Sequence, residues 1–400
     1  MHPHIEKLYS LSVKPQRLVI GLMSGTSLDG LDVALCRFTG QGQKTKVELL
    51  EFTTVDYPDN YKNSVREVFS KQQVDLQKVC IFNAWIGRQH AAMISSCLEK
   101  WQFKAEEIDL IASHGQTIYH APKSLHKMPE YPNSTLQIGD GDHIAHLTGI
   151  ITISDFRQKH LAAGGEGAPL AVYGDYLIFS DASENRLMLN MGGISNLTYL
   201  PKSLQSQEVF SSDIGPGNTM MDAFMQKHYP GLDYDRDSKI ALSGETNNRL
   251  LKALKDDGFF AQKMPKTTGP ELFNLAYLER ALVSCHITEI KPEDVMTTLN
   301  RFAADMIVEA LKDCEQRLGG LQVYASGGGV KNNLLMQTIQ SAFSGIRIKS
   351  TAELGIDPDA KEAVLFAVLA NETVAGQAAQ FGNIDEGIPS VTLGKISFSD

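Results

Sequence analysis

Twice in this chain an apolar run stops at small residues and glycine, leaves the turn as a second run, and is followed later by a third run that also ends in glycine. In the first half, Arg17-Leu18-Val19-Ile20-Gly21-Leu22 enters the turn Met23-Ser24-Gly25-Thr26-Ser27-Leu28-Asp29-Gly30 and leaves as Leu31 to Phe38. Val47 to Val55 adds a third strand, and a helical period over 75–101 is carried by Val79, Phe82, Ile86, Ala92 and Leu98. Ile108 to Ser113 then reads as a buried strand ending at His114-Gly115-Gln116-Thr117. In the second half, Leu187 to Met191 enters Gly192-Gly193-Ile194-Ser195-Asn196, Leu197 to Leu200 leaves it, and another strand follows near Val209-Phe210. After helices around 273–285 and 294–318, Leu321 to Ser326 runs into Gly327-Gly328-Gly329. Glycine accepts backbone angles closed to other residues, so apolar runs halted by it predict strand-to-turn junctions. The order recurs after roughly 170–210 residues, the spacing of a duplicated structural unit. Two related α/β lobes with a cleft between them are the expectation.

Length agrees with two lobes, because 400 residues exceed the roughly 250–300 at which a single core stops growing. The expected division is an N-terminal lobe over 1–155, to which 376–400 returns, and a C-terminal lobe over 156–375, with linker character near 150–186. A helix is expected over 359–377, after Pro358. With 42% apolar and 21% charged residues the chain is neither collagenous, coiled-coil nor disordered. A net charge of −10 disfavours nucleic acid and anionic membranes as partners. Five widely spaced cysteines without a C-x-x-C pair suit a reduced, cytoplasmic setting. The N-terminus lacks a secretory pattern, and no apolar run nears the roughly 20 residues that span a bilayer.

Several of these junctions carry residues suited to chemistry. The turn Ser24 to Leu31 brings hydroxyls, main-chain N–H groups and Asp29 together, which fits phosphate and Mg²⁺ and equally fits an exposed hairpin tip. It is not a Walker loop, since no Gly-Lys-Ser/Thr closes it and a strand follows. Gly192 and Gly193 form a similar turn, and two such loops would suit a triphosphate. Asp213 opens Asp213-Ile214-Gly215-Pro216-Gly217-Asn218 at a strand end, where it serves as a general base or as a turn cap; Asn218 stands where it would cap the next helix. Gly327 to Gly329 admit a flat ring such as adenine or simply make a tight turn, and Glu362 occupies the first turn of the last helix. His114 and His120, without a third ligand, do not make a metal site, and Met220-Met221, Trp85 and Trp101 read as packing residues.

Taken in order, Gly21-Leu22-Met23-Ser24-Gly25-Thr26-Ser27-Leu28-Asp29-Gly30, Ser113-His114-Gly115-Gln116-Thr117, Asp155-Phe156-Arg157, Ala163 to Leu170, Asn190 to Asn196 and Asp213 to Asn218 resemble the anhydro-N-acetylmuramic acid kinase family. The resemblance covers about residues 17–370 and implies a fold of the actin/hexokinase type, two ribonuclease-H-like lobes closing over ATP and a sugar. It implies hydrolysis of a 1,6-anhydro bond coupled to phosphorylation of O6, giving N-acetylmuramic acid 6-phosphate in cell-wall recycling. By the same resemblance Asp213 is the general base, and Asp29 and Glu362 lie near Mg²⁺. Ser24, Gly25, Thr26, Ser27, Leu28, Asp29, Gly30 and Leu31 form the phosphate loop. Gly192, Gly193, Gly215, Gly327, Gly328, Gly329 and Asn332 face the nucleotide, and His114, Gln116, Thr117, Arg157, His160 and Asp213 face the sugar.

The chain departs from that pattern at His160, where the family usually has an acid, and at Ala171-Val172-Tyr173-Gly174-Asp175 after Leu170. A histidine there removes an acceptor for sugar hydroxyls and either adds a cation near Arg157 or stays neutral and structural. Two rivals remain at this stage: a kinase of another anhydro-sugar such as levoglucosan, and a sugar- or nucleotide-binding sensor without turnover. A homodimer is left open.

Overall fold

The computed structural model describes residues 1–25, 28–343, 345–376 and 388–399. The chain divides into two units, Met1–Ser180 with Ala360–Asp400, and Asp181–Asp359. The strands in chain order are β1 (Gln16–Ser24), β2 (Gly30–Thr39), β3 (Lys46–Asp56), β4 (Leu110–Ala121), β5 (Ser134–Ile138), β6 (Thr152–Ser154), β7 (Asn185–Met191), β8 (Ile194–Leu200), β9 (Phe210–Pro216), β10 (Leu321–Ser326), β11 (Ile348–Ser350) and β12 (Lys395–Ser397).

In the first unit β1, β2 and β3 form an antiparallel meander, β4 joins β1 in parallel, and β6 joins β4 in parallel. The order is therefore β3-β2-β1-β4-β6, with β12 beyond β6 and β5 paired to the far half of β4. β1 is buried on both faces because its side chains alternate between two helices. Ile20 and Leu22 enter a core with Ile86 and Ile94 of the helix Leu76–Trp101. On the other face Gly21 lies against the helix Lys361–Ala375, where a Cβ would sit 1.9 Å from the Ala363 carbonyl oxygen. Arg17, almost fully buried, ties these elements together. Its Nε donates to Asn371 Oδ1 at 2.7 Å, and its other nitrogens donate to the carbonyls of Lys14 (2.5 Å) and Gly40 (2.8 Å).

The segment 150–186 is not a linker. Thr152–Ser154 is a sheet strand, and the helices Arg157–Ala162 and Ala171–Phe179 pack within the first unit. Gly174 meets Leu365 of the helix Lys361–Ala375, and the buried Asp175 pairs with Lys361 at 2.9 Å. These contacts, between residues far apart in the chain, set the unit boundaries at Ser180 and Ala360, in place of the 155 and 375 read from sequence pattern. β4 likewise runs on past His114 to Ala121, because β5 supplies a partner for its second half.

The second unit repeats the first unit's topology. β7, β8 and β9 form the meander, and β10 and β11 join β7 in parallel succession, giving β9-β8-β7-β10-β11. Leu187, Leu189 and Met191 pack with Phe302, Ala303 and Ile307 of the helix Pro292–Leu318 and with Met220, Met221 and Phe224 of the helix Thr219–His228. Each meander followed by two parallel crossovers places the β1–β2 and β7–β8 turns at the same corner of its own sheet. Among the described residues no helix is long and apolar enough to cross a membrane.

Candidate active site

In the first unit the end of β1 is held by a chain of buried polar groups. Ser24 Oγ donates to Gln116 Oε1 at 2.6 Å and accepts from the Tyr57 hydroxyl at 2.8 Å. Tyr57 also meets His90 Nε2 at 3.2 Å, and burial lowers that imidazole to about 4, so it is neutral. Gln116 is fully buried and its amide reaches the Gly25 carbonyl at 3.4 Å. It is therefore a brace between β4 and the turn. Thr117, half-buried beside it, accepts from Gln137 Nε2 at 3.3 Å. Leu28 and Leu31 are core side chains, which leaves only their main chain for a ligand, and Thr26 and Ser27 lie outside the described residues.

Asp29 is exposed at the turn, and its Oδ1 accepts from Gly30 N at 3.0 Å. Glu362, at the start of the helix Lys361–Ala375, opens to solvent but is crowded by protein, which raises its carboxyl. Lys361 and Arg157 pull that value back down, and the negative charge of Asp29 adds to the rise, so the two carboxylates sense one another. Arg157 is positioned by two donations, Nε to His114 Nε2 at 3.0 Å and Nη1 to the Gly167 carbonyl at 2.7 Å. Burial lowers it to about 10 while Glu362 opposes the shift, so it remains a cation at neutral pH. His114 is nearly inaccessible, and burial followed by Arg157 holds its pKa well below the usual histidine value. Its Nε2 accepts from Arg157 and so helps to orient that guanidinium.

His160 is fully buried. Its Nδ1 accepts from Gly167 N at 3.0 Å, its ring lies edge-on to Tyr173 at 5.9 Å, and burial, then Arg157, lowers it to about 4. A neutral imidazole here supports the loop 164–167 and adds no cation beside Arg157.

In the second unit three glycine junctions converge. Gly217 N and Thr219 N donate to the Gly193 carbonyl at 2.8 and 3.1 Å, and Asn218 N donates to the Gly192 carbonyl at 2.9 Å. A Cβ on Gly217 would lie 2.2 Å from the Gly192 oxygen, so the two turns touch through bare backbone. Gly327, at φ +82°, brings the β10 turn equally close, with a Cβ position 2.8 Å from the Met191 carbonyl oxygen. A Cβ on Gly328 would lie 3.7 Å from Asn218 Nδ2, and one on Gly329 would meet the Met191 side chain. Asn218 stands at the helix start but makes no side-chain cap, because its backbone already lies in the helical region. Asn332 does cap, accepting from Leu335 N at 2.9 Å, and the same oxygen accepts from Ser238 Oγ (2.7 Å) and Asn300 Nδ2 (2.9 Å).

Asp213, half-buried on β9, faces the segment 264–268. Its main-chain N–H donates to the Lys266 carbonyl at 2.9 Å, and its Oδ2 accepts from Thr268 N at 2.8 Å. Desolvation raises its carboxyl to about 6, the Thr268 bond opposes this, and Glu271 adds to the rise. A carboxyl with such a value is largely ionised at pH 7 and still accepts a proton readily. Gly215, at φ +152°, lies against the Phe260 ring. Sequence pattern missed this segment because its contribution is a main-chain N–H, which no side chain advertises.

Two units of one strand order, each with a glycine turn in its meander, define the duplicated ribonuclease-H-like fold of the actin/hexokinase class. The anhydro-N-acetylmuramic acid kinase model matches residues 17–398, and the chain belongs to that family. The anhydro-N-acetylmuramic acid kinase of Pseudoalteromonas translucida is 56% identical, with all of both chains covered. That of Caldanaerobacter subterraneus is 37% identical over 98% of this chain and all of its own. Among solved structures, a hexokinase from Schistosoma mansoni complexed with glucose aligns over 88% of this chain and 85% of its own at 9% identity and TM-score 0.35.

Proposed function

We propose that this protein converts 1,6-anhydro-N-acetylmuramic acid and ATP to N-acetylmuramic acid 6-phosphate and ADP in the cytoplasm, as a step of cell-wall recycling. Family membership supports the reaction, and the observation that carries the mechanism is the carboxylate of Asp213, half-buried, held through one oxygen, and raised to about 6. Asp213 takes a proton from water as the water oxygen bonds to the anomeric carbon. The C1–O6 bond breaks, O6 attacks the γ-phosphorus, and the bond to the β-phosphate oxygen breaks to release ADP.

Main-chain groups of the Ser24–Leu31 turn and of Gly192, Gly193 and Gly327 to Gly329 are suited to phosphate oxygens and nucleotide, since small residues let a ligand approach the backbone closely. Asn332 acts from behind, fixing the helix that follows the β10 turn. Asp29 and Glu362 offer hard carboxylate oxygens of the kind Mg²⁺ takes while keeping its remaining places for water and phosphate, and the charge of Asp29 is felt at Glu362. Bound there, Mg²⁺ would neutralise charge on the β- and γ-phosphates. Arg157 is the cation suited to the lactyl carboxylate, oriented by His114, while Gln116, Thr117 and His160 support the surrounding loops.

The test is ADP release with a panel of 1,6-anhydro-sugars. Turnover with the anhydro-muramic sugar, with little for levoglucosan and none without sugar, is expected. ADP release at an equal rate without sugar would overturn the kinase reading, and preference for levoglucosan would reassign the substrate.

A further inference from the structure

The segment running beside β9 does more than cover it. Lys266 N donates to Ser212 Oγ at 3.0 Å, and Asp213 N donates back to the Lys266 carbonyl at 2.9 Å, so the segment is stitched to β9 at the residue before the base and at the base itself. One residue further along the chain from Thr267, Thr268 N reaches the carboxylate Oδ2 at 2.8 Å. The Lys266 ammonium turns away from Asp213, donating to the Phe259 carbonyl at 3.0 Å and lying 4.2 Å from the centre of the Phe259 ring. Phe259 is buried in the core with Phe273. Phe260, the next residue, packs against Gly215 two places beyond the base. Among the described residues Thr268 N is the hydrogen-bond donor to the Asp213 carboxylate, and it bonds only one of the two oxygens.

We propose that Lys266–Thr268 is a positioning strap for Asp213: the Thr268 main-chain N–H fixes Oδ2, the Lys266 ammonium anchors the strap to Phe259, and Oδ1 is thereby the oxygen that receives the proton of the attacking water. The inference rests on Asp213 being the base, and it assigns Lys266 and Thr268 as positioning residues rather than catalytic ones. A donor to the ionised form favours ionisation, so the strap also restrains the rise that burial and Glu271 produce at Asp213. Lys266 is the strap's charged group, and Glu271, three residues beyond the strap, is the charged group whose field reaches the carboxylate.

The experiment compares Thr268→Ala, which keeps the N–H, with Thr268→Pro, which removes it, and Lys266→Met with Lys266→Arg. Each is read by the acid limb of the kcat profile and by carboxyl NMR titration of Asp213. Thr268→Pro should move the titration upward and lower kcat by on the order of 10- to 100-fold, with the KM for ATP little changed, because a misplaced base costs orientation. Thr268→Ala should titrate as the wild type does. Lys266→Met should shift in the same direction as the proline variant, and Lys266→Arg should restore part of the loss. If Thr268→Pro does not fold, judged by its thermal transition, the Lys266 pair carries the test. Identical titrations for the wild type and the folded strap variants would overturn the strap. Full turnover by Asp213→Asn would instead remove the base assignment, leaving the NMR shift as a separate result.

Discussion

The carboxyl of Asp213, the base in the proposed mechanism, reflects a balance between burial, which raises it, and one main-chain donor, which lowers it. On the proposed mechanism the ionised form is the active one, and the folded value is about 6, so kcat/KM should be level above pH 7 and fall as pH drops through about 6. A pH profile at sugar concentrations well below KM checks this, and a limb near the ordinary aspartate value would contradict it. Gly217 makes a second residue-scale claim. Adding a methyl that sits 2.2 Å from the Gly192 oxygen should force the two turns apart, so Gly217→Ala should lose about 1–3 kcal/mol of stability, read by urea denaturation, together with nucleotide affinity. The glycines were legible as strand stops, and Asp213 as an acid before a glycine turn, but not at the strand end its sequence suggests, since β9 runs on through Pro216. Thr268 was not, since its task belongs to an N–H that every non-proline residue has, and neither was the neutral state of His160, which burial decides.

Among the elements, β1 and the helix Lys361–Ala375 are the pair on which the first unit depends. The helix lies directly on Gly21, and Arg17 binds its Asn371 from the strand's start. Gly21→Ala should therefore cost about 1–3 kcal/mol or more, because the Cβ meets rigid helix backbone rather than a flexible side chain. Arg17→Met should cost a similar amount, about 1–3 kcal/mol, as it leaves Asn371 Oδ1 and the Lys14 carbonyl without their buried donor while the Gly40 carbonyl keeps Asn371 Nδ2. Both are checked by denaturant midpoints, with Leu18→Ile as a control of small effect. The strands of the two meanders, β4, β10 and the long helices follow from apolar period and glycine stops and were readable, but the short β5, β11 and β12 were not. The allegiance of the helices Arg157–Ala162, Ala171–Phe179 and Lys361–Ala375 was not. It is set by pairs such as Lys361 with Asp175 and Leu365 with Gly174, whose partners are far apart in sequence and share no local pattern.

For the molecule as a whole, duplication is what places two sets of glycine turns at equivalent corners of two sheets. The first set carries Asp29 and, from a later helix, Glu362. The second carries Asp213. The chain's net charge of −10 gives no long-range attraction for ATP or a carboxylated sugar, so binding must come from local donors such as Arg157 and the turn amides. The account is tested most directly by counting products. Wild-type protein given ATP, Mg²⁺ and 1,6-anhydro-N-acetylmuramic acid should form ADP and sugar 6-phosphate in equal amounts. Asp213→Asn should lower both together by on the order of 10²–10⁴-fold. ADP formed without sugar phosphate, or undiminished formation of both by the variant, would contradict it.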